Sequence, residues 1–155
     1  MTTTGSESTS HEPERTWFRV CMPVRWSDCD PAGITYYPNY YTFQEAATVE
    51  FLRSRGTSWR NLEQRYGGHF PRVESHCRYL ASCSYDDVVD VGLRVMDIAR
   101  KIITLHFRVW RQADGERLCE GHVKFALVPY PTSAHERPRA LELPDGLRAL
   151  FGELA

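Results

Sequence analysis

A short polar stretch, residues 25–40, concentrates the side chains of this sequence that are best suited to chemistry. It reads RWSDCDPAGITYYPNY and places two carboxylates, Asp28 and Asp30, before a Pro-Ala-Gly turn and the expected start of a long helix. The first turn of a helix offers unpaired backbone N–H groups and a partial positive charge. A carboxylate beside such donors can attack a polarised carbonyl carbon or activate water to attack it. The stretch therefore predicts acyl-transfer chemistry.

Each acidic or thiol side chain of this stretch also has a structural interpretation. Asp30 can form an Asx turn ahead of Pro31, and we expect Asp28 to be a turn or capping residue. Cys29 lies between the two acids, which disfavour its thiolate, so we interpret it as a packing residue rather than a nucleophile. Asp30 thus keeps two interpretations, one structural and one catalytic.

The elements on either side of this stretch must position it. Residues 16–26 alternate between apolar and polar and predict a half-buried strand, in which Pro23 indicates an edge or a bulge. The apolar residues that share one face of this strand are Phe18, Val20, Met22, Val24 and Trp26. Apolar residues at helical spacing predict a long, mostly buried helix over residues 39–55 that Gly56 stops. A short helix is expected over residues 57–66.

The second half of the chain predicts a sheet. Alternating segments indicate four strands, at residues 71–80, 88–98, 102–112 and 117–128. In the first of them, the residues Val73, Cys77 and Tyr79 share one face. A final short helix is expected from Asp145, which can cap it. One long helix covered by five antiparallel strands is an α+β architecture.

Composition limits the classes of function and partner. The chain has 155 residues, 42% hydrophobic residues and a net charge of −1, which predicts one globular domain over residues 16–155 after a disordered tail at 1–15. Neither a nucleic acid nor a membrane is expected as a partner. Five cysteines without a Cys-x-x-Cys pair or zinc-site spacing indicate reduced thiols, and no metal or other cofactor is expected. With no apolar leader, we expect a cytoplasmic protein.

Several segments together resemble one known family, that of the 4-hydroxybenzoyl-CoA thioesterases. The segments are DCDPAGI and YPNY between residues 28 and 40, Trp59-Arg60, Pro71, the SYDDV run that starts at Ser84, Arg100-Lys101, and RALELP from Arg139. The resemblance covers the chain from about Thr16 onwards. It implies a hot-dog fold, in which a five-stranded antiparallel sheet wraps around one long central helix. It also implies metal-free hydrolysis of an acyl-CoA, with active sites at the interface of a homodimer that assembles into a homotetramer.

The resemblance further implies the roles of individual residues. Asp30 is implied as the catalytic carboxylate, either as a nucleophile that forms an acyl anhydride or as a general base for water. Tyr37 is implied to polarise the thioester carbonyl through its backbone N–H. Glu45 is either a solvated or salt-bridged side chain or a hydrogen-bond partner of a ring hydroxyl on the acyl group. Trp59 is either a pocket wall across the dimer or a core residue.

The same resemblance bears on the coenzyme and on the choice between related functions. Arg100 and Lys101 are implied to bind the CoA phosphates, although a solvated turn is the ordinary interpretation of such a pair. The expected function is hydrolysis of an aromatic, hydroxybenzoyl-type acyl-CoA. The alternatives are a short-chain or general acyl-CoA thioesterase of the Tol-Pal-associated type and a non-catalytic acyl-CoA-binding hot-dog protein. A hot-dog dehydratase would need a histidine acid–base pair, and the long helix contains no histidine.

Overall fold

Seven strands, most of them in one antiparallel sheet, dominate the computed structural model, which describes residues 17–133 and 136–155. They are β1 (Phe18–Pro23), β2 (Gly68–His69), β3 (Arg72–Tyr79), β4 (Val88–Ile98), β5 (Ile102–Arg111), β6 (Arg117–Ala126) and β7 (Val128–Pro129). The main sheet has the order β1-β4-β5-β6-β3, while β2 and β7 pair separately. The five-stranded antiparallel sheet is confirmed. The tail predicted at residues 1–15 lies outside the described residues.

The long helix α1 (Asn39–Ser54) packs against β1 and β4. Its buried residues recur at helical spacing and are Tyr40, Phe43, Gln44, Ala47, Thr48, Phe51 and Leu52. The helix ends one residue before the predicted boundary. Gly56 follows with φ +68°, a left-handed conformation that glycine adopts without a steric penalty from a Cβ atom.

Two shorter helices complete the described fold. In α2 (Trp59–Tyr66), the Ser58 hydroxyl caps the N-terminus by accepting the Asn61 N–H at 3.2 Å. The helix α3 (Asp145–Gly152) packs against β4 and buries Leu147 and Phe151. The prediction that Asp145 caps this helix was wrong, because the N-cap position is Pro144 and Asp145 lies within the first turn. Among the described residues, the helices lack the combination of length and apolar character needed to cross a bilayer.

The apolar faces predicted for two strands are partly exposed, for a different reason in each. Trp26 is 80% exposed because β1 ends at Pro23 and the chain then enters a 3-10 turn, which breaks the alternation of the strand. Val73 and Tyr79 are 53% and 43% exposed, respectively. Their strand β3 is an edge of the sheet, so only one neighbouring strand covers it. The edge position predicted from Pro23 is confirmed, since β1 is the opposite edge.

Candidate active site

Hydrogen bonds fold the segment after β1 into a compact loop that reaches the start of α1. A 3-10 turn spans Trp26–Asp28, and the Asp28 carboxylate accepts the Arg25 N–H at 2.7 Å. The Asp28 carbonyl accepts the Tyr36 N–H at 2.8 Å and the Asn39 side-chain amide at 2.9 Å. Asp28 is therefore the turn and capping residue that the sequence predicts, and it ties the loop to the first residue of α1.

Asp30 lies at the tip of this loop with one carboxylate oxygen engaged. Its Oδ1 accepts the Ala32 N–H at 2.8 Å, which is the Asx turn, and its carbonyl accepts the Gly33 N–H at 2.9 Å. The turn needs Gly33, whose φ is +79°. Within residues 17–133 and 136–155, Oδ2 receives no hydrogen bond. This half-buried side chain lines a cavity of about 400 Å³ together with Trp26 and Tyr85.

Tyr37 is the residue immediately before the N-cap of α1, which is Pro38. Its N–H has no acceptor in the described part of the chain, whereas its carbonyl accepts the Tyr79 hydroxyl at 3.2 Å. Tyr37 lines a second cavity of about 290 Å³. The loop contributes Gly33 to the lining of the Asp30 cavity and the next residue, Ile34, to the lining of the Tyr37 cavity. The fold thus brings Asp30 and Tyr37 to neighbouring cavities at the same end of α1.

A second loop, residues 82–87, closes the site from the other side. The Cys83 carbonyl accepts the Thr35 N–H at 2.8 Å, and Ile34 forms a β-bridge with Ser84. Arg111 holds this loop by donating to the Ser82 carbonyl at 2.5 Å. The Asp114 carboxylate, 2.6 Å from the guanidinium, raises the pKa of Arg111 above its ordinary value. The Arg111 guanidinium therefore stays charged and keeps the loop of residues 82–87 in place.

Cys29 does not have the environment of a thiol nucleophile. Its pKa is raised, first by loss of solvent around the thiol and then by the negative charge of Asp28. The thiol lies 3.8 Å from the Arg25 carbonyl. A raised pKa keeps the sulfur protonated, which agrees with its interpretation as a packing residue.

Glu45, in the second turn of α1, has both carboxylate oxygens engaged. Its Oε1 accepts the Trp59 indole N–H at 2.7 Å, and its Oε2 forms an ion pair with Arg72. The Arg72 guanidinium also lies over the Trp59 ring, 4.9 Å from its centroid. Glu45 is 39% exposed and lines a cavity of about 650 Å³ with Arg72 and Tyr41. It is both salt-bridged and placed at a cavity, while contact with a ring hydroxyl stays a prediction.

Trp59 is partly buried and packs against the hydrophobic core. Its ring centroid lies 5.2 Å from that of Phe70, 5.5 Å from that of Phe125 and 6.1 Å from that of Phe151. Of the two interpretations made from the sequence, core packing is the one observed. Its part in a wall across a dimer stays a prediction.

Arg100 and Lys101 lie in the turn between β4 and β5, at the opposite end of β4 from the loop of Asp30. Arg100 pairs with Glu142 at 2.9 Å, and Lys101 donates to the Ala140 carbonyl at 2.8 Å. The loop of Asp30 lies near the opposite end of β4, where Pro23 pairs with Val88. A strand rises about 3.3 Å per residue, so the length of β4 separates the two places by roughly 30 Å.

Sequence reasoning missed three residues that shape the site, namely Arg72, Tyr79 and Arg111. Each acts through a partner that is distant in sequence: Glu45 for Arg72, Tyr37 for Tyr79 and the Ser82 carbonyl for Arg111. Local patterns carry no signal for such pairs. Tyr79 was placed on an apolar strand face by its alternation, although its hydroxyl reaches the loop before α1.

Comparison with known proteins identifies a matching family and a relative with a solved structure. The sequence model of a family described as the thioesterase-like superfamily matches residues 24–151. A 4-hydroxybenzoyl-CoA thioesterase from Pseudomonas sp. strain CBS-3 is 29% identical over 129 residues, which cover 78% of this chain and 87% of that protein. Its solved structure superposes with a TM-score of 0.72 at 27% identity, covering 85% and 98% of the two chains.

A second solved structure has a similar fold. A 1,4-dihydroxy-2-naphthoyl-CoA thioesterase from Synechocystis superposes with a TM-score of 0.79 at 17% identity, covering 89% of this chain and 97% of that one. At that identity the likeness speaks for the fold alone. Together the superpositions confirm the hot-dog fold.

Proposed function

Since this chain belongs to the thioesterase-like superfamily and is an acyl-CoA thioesterase of the hot-dog type, we propose that it hydrolyses CoA thioesters of aromatic acids at the loop before α1. One observation carries the proposal. In the described chain, a carboxylate oxygen of Asp30 without a hydrogen-bond donor lines one cavity of this loop, and Tyr37, whose N–H has no acceptor, lines another. A carboxylate and a free peptide donor are the two groups that attack on a thioester carbonyl requires.

Asp30 is the catalytic carboxylate in this proposal, and two routes are open to it. As a nucleophile, its Oδ2 bonds to the carbonyl carbon while the C–S bond breaks, CoA thiolate leaves, and water then hydrolyses the anhydride. As a general base, Asp30 takes a proton from water, whose oxygen bonds to the same carbon as the thiolate leaves. The bond from Oδ1 to the Ala32 N–H at 2.8 Å fixes the carboxylate for either route.

Tyr37 is the proposed electrophilic partner of Asp30. As negative charge develops on the thioester oxygen, its N–H donates a hydrogen bond there, and the N-terminal end of α1 adds a favourable field. The helix has 16 residues, long enough for a substantial dipole. The donor belongs to the backbone, so the Tyr37 side chain itself contributes less than the local backbone shape.

The preference for an aromatic acyl group is supported by the cavity of about 650 Å³ beside α1. Its lining combines apolar surface from Val49 and Val123 with the Glu45 carboxylate. Each carboxylate oxygen has two lone pairs, so Glu45 can accept a ring hydroxyl while it keeps Trp59 and Arg72. The relative from Pseudomonas carries the name of a hydroxybenzoyl-CoA thioesterase, which supports the same class of substrate.

In this proposal, Arg100 and Lys101 act at the active site of another copy of the chain. They lie at the opposite end of β4 from Asp30, so we propose that they bind the CoA phosphates at a site whose carboxylate belongs to a different protomer. The exposed edge strand β3, with Val73 53% exposed, supports assembly into a homodimer and then a homotetramer. Sedimentation velocity that finds only monomer at micromolar concentrations would contradict this assembly.

One experiment tests the function directly. The purified protein is incubated with benzoyl, hydroxybenzoyl, hydroxyphenylacetyl and aliphatic CoA esters, and release of free thiol is followed. We expect kcat/KM for the best aromatic ester to exceed that for the best aliphatic ester by at least about tenfold, a difference of about 1.4 kcal/mol.

Two outcomes of this panel would overturn the proposal in different ways. A preference for aliphatic esters would favour a short-chain or general acyl-CoA thioesterase of the Tol-Pal-associated type. Binding of the esters without thiol release would instead favour a non-catalytic acyl-CoA-binding protein.

A further inference from the structure

Tyr79 occupies a fixed place next to the loop that carries the proposed oxyanion donor. It is the last residue of β3 and pairs with Cys119 of β6. Directly after it, the Leu80 and Ala81 N–H groups both donate to the Leu118 carbonyl, at 2.8 and 3.1 Å. The main sheet therefore holds the backbone of Tyr79 in a defined position.

From this position the Tyr79 side chain reaches across to the start of α1. Its hydroxyl donates to the Tyr37 carbonyl at 3.2 Å, and the two rings make an edge contact with centroids 6.1 Å apart. The Tyr79 ring also packs against Tyr40 in the first turn of α1, at 5.5 Å. Tyr79 and Tyr37 line the same cavity of about 290 Å³.

The carbonyl that Tyr79 holds belongs to the residue whose N–H has no acceptor in the described chain. On its far side, this carbonyl joins Pro38, whose φ of −67° is set by the proline ring. On its near side, the Tyr36 N–H is fixed by its bond to the Asp28 carbonyl at 2.8 Å. The Tyr36 carbonyl, which belongs to the same peptide group as the Tyr37 N–H, accepts the Asn39 N–H at 2.8 Å. The Tyr79 hydroxyl adds a restraint on the next peptide group, between Tyr37 and Pro38.

We propose that the Tyr79 hydroxyl is a positioning group for the Tyr37 N–H. By holding the Tyr37 carbonyl, it keeps the adjacent peptide donor aligned with the oxygen of the thioester as charge develops there. This inference rests on the proposed function, because it assumes that the Tyr37 N–H polarises the substrate carbonyl. Tyr79 does not itself touch the reacting atoms.

The electrostatic surroundings of Tyr79 suit this role. Partial loss of solvent around the hydroxyl, followed by the charge of the neighbouring Cys77 sulfur, raises the pKa of Tyr79 above its ordinary value. The hydroxyl therefore keeps its proton at neutral and mildly alkaline pH, and it can donate to the carbonyl throughout that range. A phenolate could only accept a hydrogen bond and would repel the carbonyl oxygen.

The test compares the wild-type protein with Tyr79→Phe, which keeps the ring and its contacts and removes only the hydroxyl. Tyr130→Phe is the matched control, because Tyr130 is also 43% exposed and packs on His69, away from the candidate site. Steady-state kinetics use 4-hydroxybenzoyl-CoA or, if another ester of the panel is turned over faster, that ester. For Tyr79→Phe we expect kcat to fall about three- to tenfold with KM within about twofold, while Tyr130→Phe matches the wild type.

A spectroscopic readout separates positioning from a merely structural role. The ester labelled with ¹³C at its thioester carbonyl is bound to the Asp30→Asn variant, and the carbonyl stretch is measured by isotope-edited infrared spectroscopy. Polarisation by the Tyr37 N–H lowers this frequency relative to the ester in solution. When Tyr79→Phe is combined with Asp30→Asn, the carbonyl frequency should move part of the way back towards its value in solution.

The outcomes distinguish this inference from the proposed function on which it rests. A lowered frequency that Tyr79→Phe leaves unchanged overturns the inference and preserves the role of Tyr37. An unchanged kcat, or a rise in KM alone, also overturns it. A frequency that is not lowered even with Tyr79 intact overturns the role of Tyr37 itself, and the inference with it.

Discussion

Replacing Asp30 by Asn tests the centre of the proposed mechanism with little disturbance of the fold. The asparagine oxygen can still accept the Ala32 N–H that Oδ1 of Asp30 accepts at 2.8 Å. The Asp30 N–H to Ile34 and Gly33 N–H to Asp30 bonds, both 2.9 Å, involve only the backbone and remain. A neutral acceptor is weaker than a charged one, so we expect the free energy of unfolding to fall by less than about 1 kcal/mol.

The effect on turnover should be far larger. A general base contributes about 10²–10⁴-fold to the rate, and an amide can serve neither as that base nor as an effective nucleophile. We therefore expect kcat of Asp30→Asn to fall at least about 100-fold, which corresponds to about 2.7 kcal/mol of transition-state stabilisation. The dissociation constant for the ester should stay within a few-fold, because the cavities and the Tyr37 N–H are retained.

The assay follows thiol release in single- and multiple-turnover experiments, with ester affinity measured by calorimetry. Asp28→Asn is the matched control, since it makes the same chemical change in the same loop, and asparagine can replace the cap on the Arg25 N–H at 2.7 Å. We expect it to keep kcat within about twofold. An Asp30→Asn protein that keeps more than about a tenth of the wild-type kcat would refute the catalytic role of Asp30.

The remaining predictions concern recognition of the two ends of the substrate. Glu45→Gln should lower the ratio of kcat/KM for hydroxybenzoyl-CoA over benzoyl-CoA about fivefold, because a neutral amide oxygen accepts a ring hydroxyl less strongly. A ratio equal to that of the wild type would place Glu45 outside substrate recognition. Joint replacement of Arg100 and Lys101 by Ala should raise KM more than it lowers kcat, since it removes only ground-state contacts to phosphates. Unchanged KM in a steady-state assay would exclude the phosphate role.

Much of the fold could be predicted because it depends on local periodicity. The β4 boundaries were predicted to the residue, and those of α1 to within one residue, from alternation and helical spacing. The pair of two-residue strands β2 and β7 was missed, since so short a pairing leaves no periodic pattern. The exposure of Trp26 was missed because alternation does not reveal where a strand ends.

For the candidate site too, local features were predicted from the sequence and long-range contacts were not. The loop with Asp30 was identified from its own residues, because loop, turn and helix start are contiguous in the chain, and the role of Tyr37 was implied by the family resemblance. Its supporting contacts were not, since Arg72 and Tyr79 meet partners 27 and 42 residues away. The distance of Arg100 and Lys101 from Asp30 also depends on how β4 runs through the sheet.

By itself, the sequence determined the succession of the longer strands and helices along the chain, the class of fold and the choice of a candidate segment for acyl-transfer chemistry. Only the tertiary structure decided that Glu45 is paired with Arg72, that Trp59 packs against the core and that Tyr79 donates to the carbonyl of Tyr37. The physical reason is that periodicity and turn preferences act over a few residues. Contacts between side chains on different elements are set by strand order and register, which no short stretch of the chain contains.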